Sequence, residues 1–174
     1  GHGGSPNWPE LTLQALGEAV WQVVDQLGVA RVCLAGTSMG AVTALHAAGL
    51  QPQRVQRLVL CGARLVRDAS QGADLRSRAR QAQGQDLGAI AEEMVGRWFP
   101  AASSATPAMR DAVRRTLLKT SPEGYAACAQ ALDCYDLSSP LEQLQERAWL
   151  VTGSLDGDVP DHFRALAQSF PRAH

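Results

Sequence analysis

The feature that most constrains this 174-residue chain is the pentapeptide Gly36-Thr37-Ser38-Met39-Gly40. It leaves an apolar, strand-like run, Arg31-Val32-Cys33-Leu34-Ala35, and opens an alanine-rich stretch from Ala41 to Leu50 that reads as a helix. Gly-x-Ser-x-Gly alone is common by chance, so the strand before it and the helix after it give it weight. A strand that turns abruptly into a helix holds the intervening serine in a strained backbone. Glycines two residues on either side are expected to remove Cβ atoms that would clash. The turn presents Ser38 Oγ at a helix N-terminus, where backbone N–H groups meet developing negative charge. Ser38 is therefore a candidate nucleophile and the Met39 amide a candidate oxyanion donor. The bland alternative is a tight strand–helix turn with no chemistry.

The surrounding periodicity supplies the architecture. Leu13, Leu16, Val20, Val23, Val24 and Leu27 recur at three- and four-residue spacing, which predicts an amphipathic helix over 11–27 closed by Gly28. Residues 29–35 and 55–61 read as buried parallel strands. From about Arg64 to Leu137 the pattern is helical, with helices expected near 72–82, 87–98, 107–119 and 122–132 and no strand. A helix at 141–146, a strand at 148–152 and a helix at 160–170 complete the chain. The order predicts an α/β fold: a parallel, helix-covered sheet interrupted by a helical insertion. The expected organisation is a core at 1–63, an insertion at 64–139 and a return to the core at 140–174.

A serine nucleophile needs a histidine base, and that histidine needs an orienting carboxylate. Asp156 lies just past the third strand in Gly153-Ser154-Leu155-Asp156-Gly157-Asp158-Val159-Pro160, where parallel sheets place catalytic groups. The spacing Gly-x-x-Asp-x-x-x-Pro favours it over Asp158; either could instead be a turn residue capping the next helix. No histidine fits as base. His2 precedes the elbow, and His46 lies inside the following helix, pointing away from its start. His162 begins the helix after Asp156, where a solvent-facing or capping role is expected. His174 falls at the start of a further strand rather than in the loop after one.

Cys33, Cys61, Cys128 and Cys134 form no CxxC pair and have no histidine at metal-ligand spacing. They read as reduced core or near-core thiols, as in a cytoplasmic protein. A net charge of −1 argues against a nucleic-acid or basic membrane-binding surface. No apolar run reaches the roughly 20 residues of a membrane span.

These residues resemble the α/β-hydrolase superfamily, and within it the 3-oxoadipate enol-lactonase group. Besides the elbow, Gly1-His2-Gly3-Gly4-Ser5 resembles a stretch that follows the family's fourth strand. Residues 55–60 resemble its sixth strand, and Gly153 to Pro160 its acid loop. Arg97-Trp98-Phe99 and Glu123-Gly124-Tyr125-Ala126 resemble two signatures of the lactonase cap, and Asp136-Leu137 falls where the family often has that pair. Lactonase caps often open with Trp-x-x-Arg; Leu75-Arg76-Ser77-Arg78 keeps the arginine and loses the tryptophan. The resemblance implies substrate contacts from Arg78, Trp98 and Tyr125, with Arg78 meeting a substrate carboxylate; a solvated helix-face role for Arg78 is equally open. It also implies a longer protein, with about three strands before Gly1 and a strand and a catalytic histidine loop after His174.

The implied function is opening of an enol-lactone ring in aromatic-compound breakdown through an acyl-enzyme, with no metal or organic cofactor. The expected partner is a small-molecule ester or lactone. The 174-residue chain alone is expected to be inactive. Other ester, thioester or C–C hydrolases and a cofactor-free perhydrolase share this machinery. A non-catalytic binding module that keeps the fold without the triad is a third reading.

Overall fold

The computed structural model describes residues 2–84 and 87–174. Contacts divide the chain into two compact units, Thr12–Asp68 with Cys134–His174 and Gly1–Leu11 with Ala69–Asp133.

The first unit is built on a parallel sheet. Helix α1 (Leu13–Gln26) starts at Thr12, whose side chain accepts the Ala15 amide at 3.1 Å, and stops at Gly28, which takes a positive φ of 67°. Strand β1 (Val32–Thr37) runs directly into Ser38, and helix α2 (Met39–Leu50) begins at the next residue. A 3₁₀ turn at Pro52–Arg54 leads to β2 (Val55–Cys61). After the helical segment, α7 (Ser138–Leu144), β5 (Ala148–Val151) and α8 (Val159–Ser169) follow. The strand order is β1-β2-β5, all parallel.

Helix α2 buries residues all round, Ala41, Val42, Ala44, Leu45, Ala47 and Ala48, because it packs against both α1 and the sheet. Small residues set the approach of the helices. A Cβ on Gly17 of α1 would stand 3.0 Å from His46 and 3.1 Å from Leu50, and one on Gly49 would stand 2.8 Å from Pro140 of α7. The Trp21 indole donates to the Ala47 carbonyl at 2.8 Å and closes the α1–α2 interface.

The second unit is helical: α3 (Ala73–Gln83), α4 (Leu87–Trp98), α5 (Pro107–Leu118) and α6 (Pro122–Ala131). Alanines 79, 82, 126 and 129 pack with Leu87, Ile90 and Met94. Thr106 and Ser121 cap α5 and α6 ahead of a proline in the first turn.

Four expectations need correcting. Strand β1 starts three residues later than expected and continues to Thr37. It lies at the sheet edge, with Cys33, Ala35 and Thr37 exposed, so it is not fully buried. Cys33 and Cys134 are accordingly exposed, although all four thiols are free. The segment expected to hold no strand contains a short antiparallel pair, β3 (Val66–Arg67) with β4 (Tyr135–Asp136). Two-residue strands carry no periodicity. Because that pair belongs to the sheet unit, the helical unit spans 69–133 rather than 64–139, and residues 1–11 cluster with it rather than with the sheet.

His174 hydrogen-bonds both to Ala148 O (2.9 Å) and, through its own carbonyl, to the Leu150 amide (2.7 Å), the pattern of a parallel rung on β5. Its ring stacks on Trp149 with centroids 5.1 Å apart. Among the described residues no helix is long and apolar enough to cross a membrane.

Leu58 on the central strand is fully buried, whereas Val23 on α1 is 56% exposed. In urea denaturation Leu58→Ala is expected to cost about 2–5 kcal/mol. Val23→Ala should stay within about 0.5 kcal/mol of the parent chain.

Candidate active site

Ser38 adopts φ 52° and ψ −120°, and it is the one non-glycine residue with positive φ among the described residues. Such a backbone costs on the order of 1–3 kcal/mol and persists only when its surroundings fix it. They do so on both sides. The Ser38 amide donates to the Cys61 carbonyl at 2.9 Å, one step past the Thr37–Cys61 pair that ends the β1–β2 ladder. The Ser38 carbonyl accepts the Ala41 and Val42 amides at 2.9 and 3.2 Å, which forms the first turn of α2. Ser38 stands at the N-cap position, yet its hydroxyl makes no capping bond, and the residue is exposed. Met39, half-buried, is the first residue of α2, where amides lack an intrahelical acceptor.

The two glycines of the elbow are not equivalent. A Cβ on Gly36 would lie 2.1 Å from the Gly40 carbonyl oxygen and 2.5 Å from the Ala41 nitrogen. A Cβ on Gly40 would meet nothing within 4 Å. The expected clash relief is therefore confined to Gly36, against which the backbone of Gly40 is pressed.

Asp156 reaches the same end of the sheet. Beyond the last β2–β5 pair, the Gly62 amide donates to Val151 O at 2.9 Å. Gly62 has a positive φ of 54°, and a Cβ there would sit 3.0 Å from Asp156 Oδ2. The half-buried Asp156 carboxylate is thus laid against Gly62, and Ser38 is tied to the preceding residue, Cys61. Consecutive residues, Cys61 at the end of β2 and Gly62 just past it, therefore bond Ser38 and lie beside Asp156. Turn bonds, Asp156 N–H to Gly153 O at 3.1 Å and Val159 N–H to Asp156 O at 3.0 Å, set the acid loop. Among the described residues no side chain pairs with the Asp156 carboxylate. Asp158, its competitor, is instead ion-paired with Arg64. Gly62 and Arg64 belong to no motif in the sequence. A glycine directly after a predicted strand was the available signal for the first.

The histidines are engaged elsewhere. His46 Nε2 lies 3.2 Å from Gln14 Oε1 on α1, and burial lowers its pKa. The rung on β5 holds His174 away from the C-terminal end of that strand. The solvent-facing or capping expectation for His162 is corrected. It is half-buried, and its Nε2 accepts the Leu65 amide at 2.9 Å. His2 belongs to the helical unit, 4.0 Å from Cys128 Sγ. Burial lowers the pKa of His2 and raises that of Cys128, opposite to the demands of a thiolate–imidazolium pair. Of the Gly1–Ser5 stretch, Gly1 lies outside the described residues.

In the helical unit Arg78 is 8% exposed and ion-paired with Glu93 at 3.2 Å, so the solvated-face alternative does not hold. Its Nε has no hydrogen-bond partner among the described residues. Half-buried Tyr125 shares a hydrogen bond with Arg78, and burial raises its pKa. Trp98, at the end of α4, is 52% exposed. Among the described residues no group of acidic, histidine or cysteine side chains could hold a metal ion.

The family model for the α/β-hydrolase fold matches residues 1–93. The 3-oxoadipate enol-lactonase 2 of Acinetobacter baylyi is 28% identical over 159 residues, which cover 90% of this chain and 58% of that protein. The enol-lactonase structure from Burkholderia xenovorans superposes with a TM-score of 0.85 at 28% identity, covering 99% of this chain and 67% of that one. A thermophilic esterase from Thermogutta terrifontis gives a TM-score of 0.87 at 26% identity, covering 100% and 66%. The chain spans little more than half the length of the curated relatives it matches.

Gly36→Ala is expected to break the elbow, lowering stability by about 3 kcal/mol or more through overpacking and lost strain support. Gly40→Ala should change it by less than about 1 kcal/mol, within the range for glycine replacement in a helix. Paired chemical-denaturation midpoints check the asymmetry.

Proposed function

The chain belongs to the α/β-hydrolase fold family, and from that premise we propose that it carries the nucleophile and acid of a serine hydrolase acting on a carboxylic ester, with an enol-lactone as substrate. One observation carries this reading: the strained, positive-φ backbone at Ser38, which leaves an uncapped hydroxyl exposed at a helix N-terminus. Ser38 Oγ attacks the lactone carbonyl, and the negative charge on the tetrahedral oxygen meets the Met39 amide. The ring C–O bond breaks, the departing oxygen takes up a proton, and water then releases the acid from the acyl-enzyme. Asp156 orients and stabilises the base that shuttles the proton.

That base comes from outside these 174 residues. The engagement of His46, His162 and His174 supports this, as does the length of the relatives. The enol-lactone assignment is supported by relatives and a structural neighbour bearing that name. A buried Arg78 with an unsatisfied Nε suits a substrate carboxylate, with Trp98 and Tyr125 as further contacts. The helical unit, residues 69–133, is the substrate-selecting insertion. Four free thiols support a reducing, cytoplasmic setting. The esterase neighbour favours one second reading, a hydrolase of simple esters on the same machinery.

In a longer form that supplies the histidine, a fluorophosphonate should label Ser38, and Ser38→Ala should abolish labelling. Asp156→Asn should lower kcat on the order of 10⁴-fold. The isolated 174 residues should not label at enzymic rates. Turnover of simple aryl esters without turnover of an enol-lactone would overturn the substrate assignment.

A further inference from the structure

The loop bearing Asp156 and the first turn of α8 are tied to the loop leaving β2 at three successive points. Asp156 lies against Gly62, Asp158 pairs with Arg64, and His162 accepts the Leu65 amide at 2.9 Å. The proposed acyl transfer uses Asp156 and neither Asp158 nor His162. Leu65 is completely buried, so its amide has no access to water as a substitute acceptor. Its bond to Nε2 fixes His162 as the Nδ1–H tautomer, because a protonated Nε2 cannot accept.

We propose that Arg64, Asp158 and His162 are positioning residues that clamp the acid loop to the β2 loop, and that the clamp is pH-sensitive because only a neutral His162 can accept the Leu65 amide. The functional consequence, a fixed carboxylate at Asp156, rests on the hydrolase reading. The clamp itself does not.

The groups facing His162 are consistent with a neutral ring. Burial is the largest influence and lowers its pKa below 6.5; Arg64 and Arg67 act in the same direction, and Asp158 opposes them. Tyr135 of β4 donates its hydroxyl to Arg64 O at 2.9 Å and is uncharged in this range, since burial raises its pKa further. The Phe163 ring lies 6.1 Å away. The folded pKa is thus below the unfolded one. The contribution of His162 to stability is complete above about pH 6.5 and is lost as pH falls through the lowered folded value.

The experiment is a pH series of ¹⁵N imidazole shifts and amide exchange, corrected for intrinsic rates, on the 174-residue chain. His162 should show the Nδ1–H tautomer at neutral pH, and the Leu65 amide should lose protection as that ring titrates. His162→Ala should speed Leu65 exchange about tenfold at neutral pH, while Leu58 and Leu60 amides stay protected. His162→Gln, which can accept through Oε1 but does not titrate, should restore protection and abolish the pH step. An Nε2–H tautomer, or Leu65 protection indifferent to both pH and His162→Ala, would overturn the clamp; if His162→Ala does not fold, the wild-type series decides alone. Fluorophosphonate labelling of Ser38 in the longer form reads the hydrolase proposal separately. A clamped Leu65 beside a Ser38 that never labels sinks that proposal and leaves the clamp standing. A labelled Ser38 beside an uncoupled Leu65 sinks the clamp alone.

Discussion

The left-handed backbone at Ser38 is the constraint on which the sheet unit depends. It is costly, and it is held from both directions, by the Cys61 carbonyl on the β2 side and by the first turn of α2 on the other. That arrangement requires β1 and β2 to be paired in register to their last residues. It requires α2 to begin with no intervening loop, and the backbone at Gly40 to press on a Gly36 that has no side chain. The buried apolar surface of α2 then packs against α1, the sheet and α7. The helix is alanine-rich because close approach on both sides leaves little room for larger side chains.

The same strand end organises the acid loop. Cys61 holds the Ser38 amide, Gly62 continues the ladder to β5 and lies beside Asp156, and Arg64 and Leu65 bind Asp158 and His162. These four residues, at the end of β2 and just past it, therefore reach both Ser38 and the loop that bears Asp156. Their order explains why, among the described residues, Asp156 rather than Asp158 presents an unpaired carboxylate. Arg64 engages Asp158, and the absence of a side chain on Gly62 leaves room for Asp156. A substitution at Gly62 would act on the acid without touching it.

Much of this was legible in the sequence because it rests on local patterns. Residues 55–61 read as a strand and are one, since β2 is central and apolar where it is buried. The helices at 87–98 and 107–119 were marked by periodicity and proline. What sequence could not show depends on long-range contact. β1 shows the same kind of apolar run as β2, yet within these 174 residues it pairs on one side only and Cys33 is exposed. The β3–β4 pair joins residues nearly seventy apart in sequence, over two residues each. His162 read as a surface residue because its acceptor role depends on an amide 97 positions earlier. Gly40 was assigned a role that belongs to Gly36 alone, since a motif shows which residues recur and not which atom meets which.

The histidines show why a complete elbow does not amount to a complete catalytic apparatus. A serine needs a ring nitrogen that is free to take its proton and then to give it up. His46 and His162 both have Nε2 directed at partners that belong to the packing of the unit, and His174 is committed to a strand rung at the wrong end of β5. Moving any of them to the serine would remove a contact that holds α1, the acid loop or the sheet edge in place. The candidate nucleophile and acid therefore stand at strand ends of the sheet unit, while His46, His162 and His174 are each engaged in packing elsewhere.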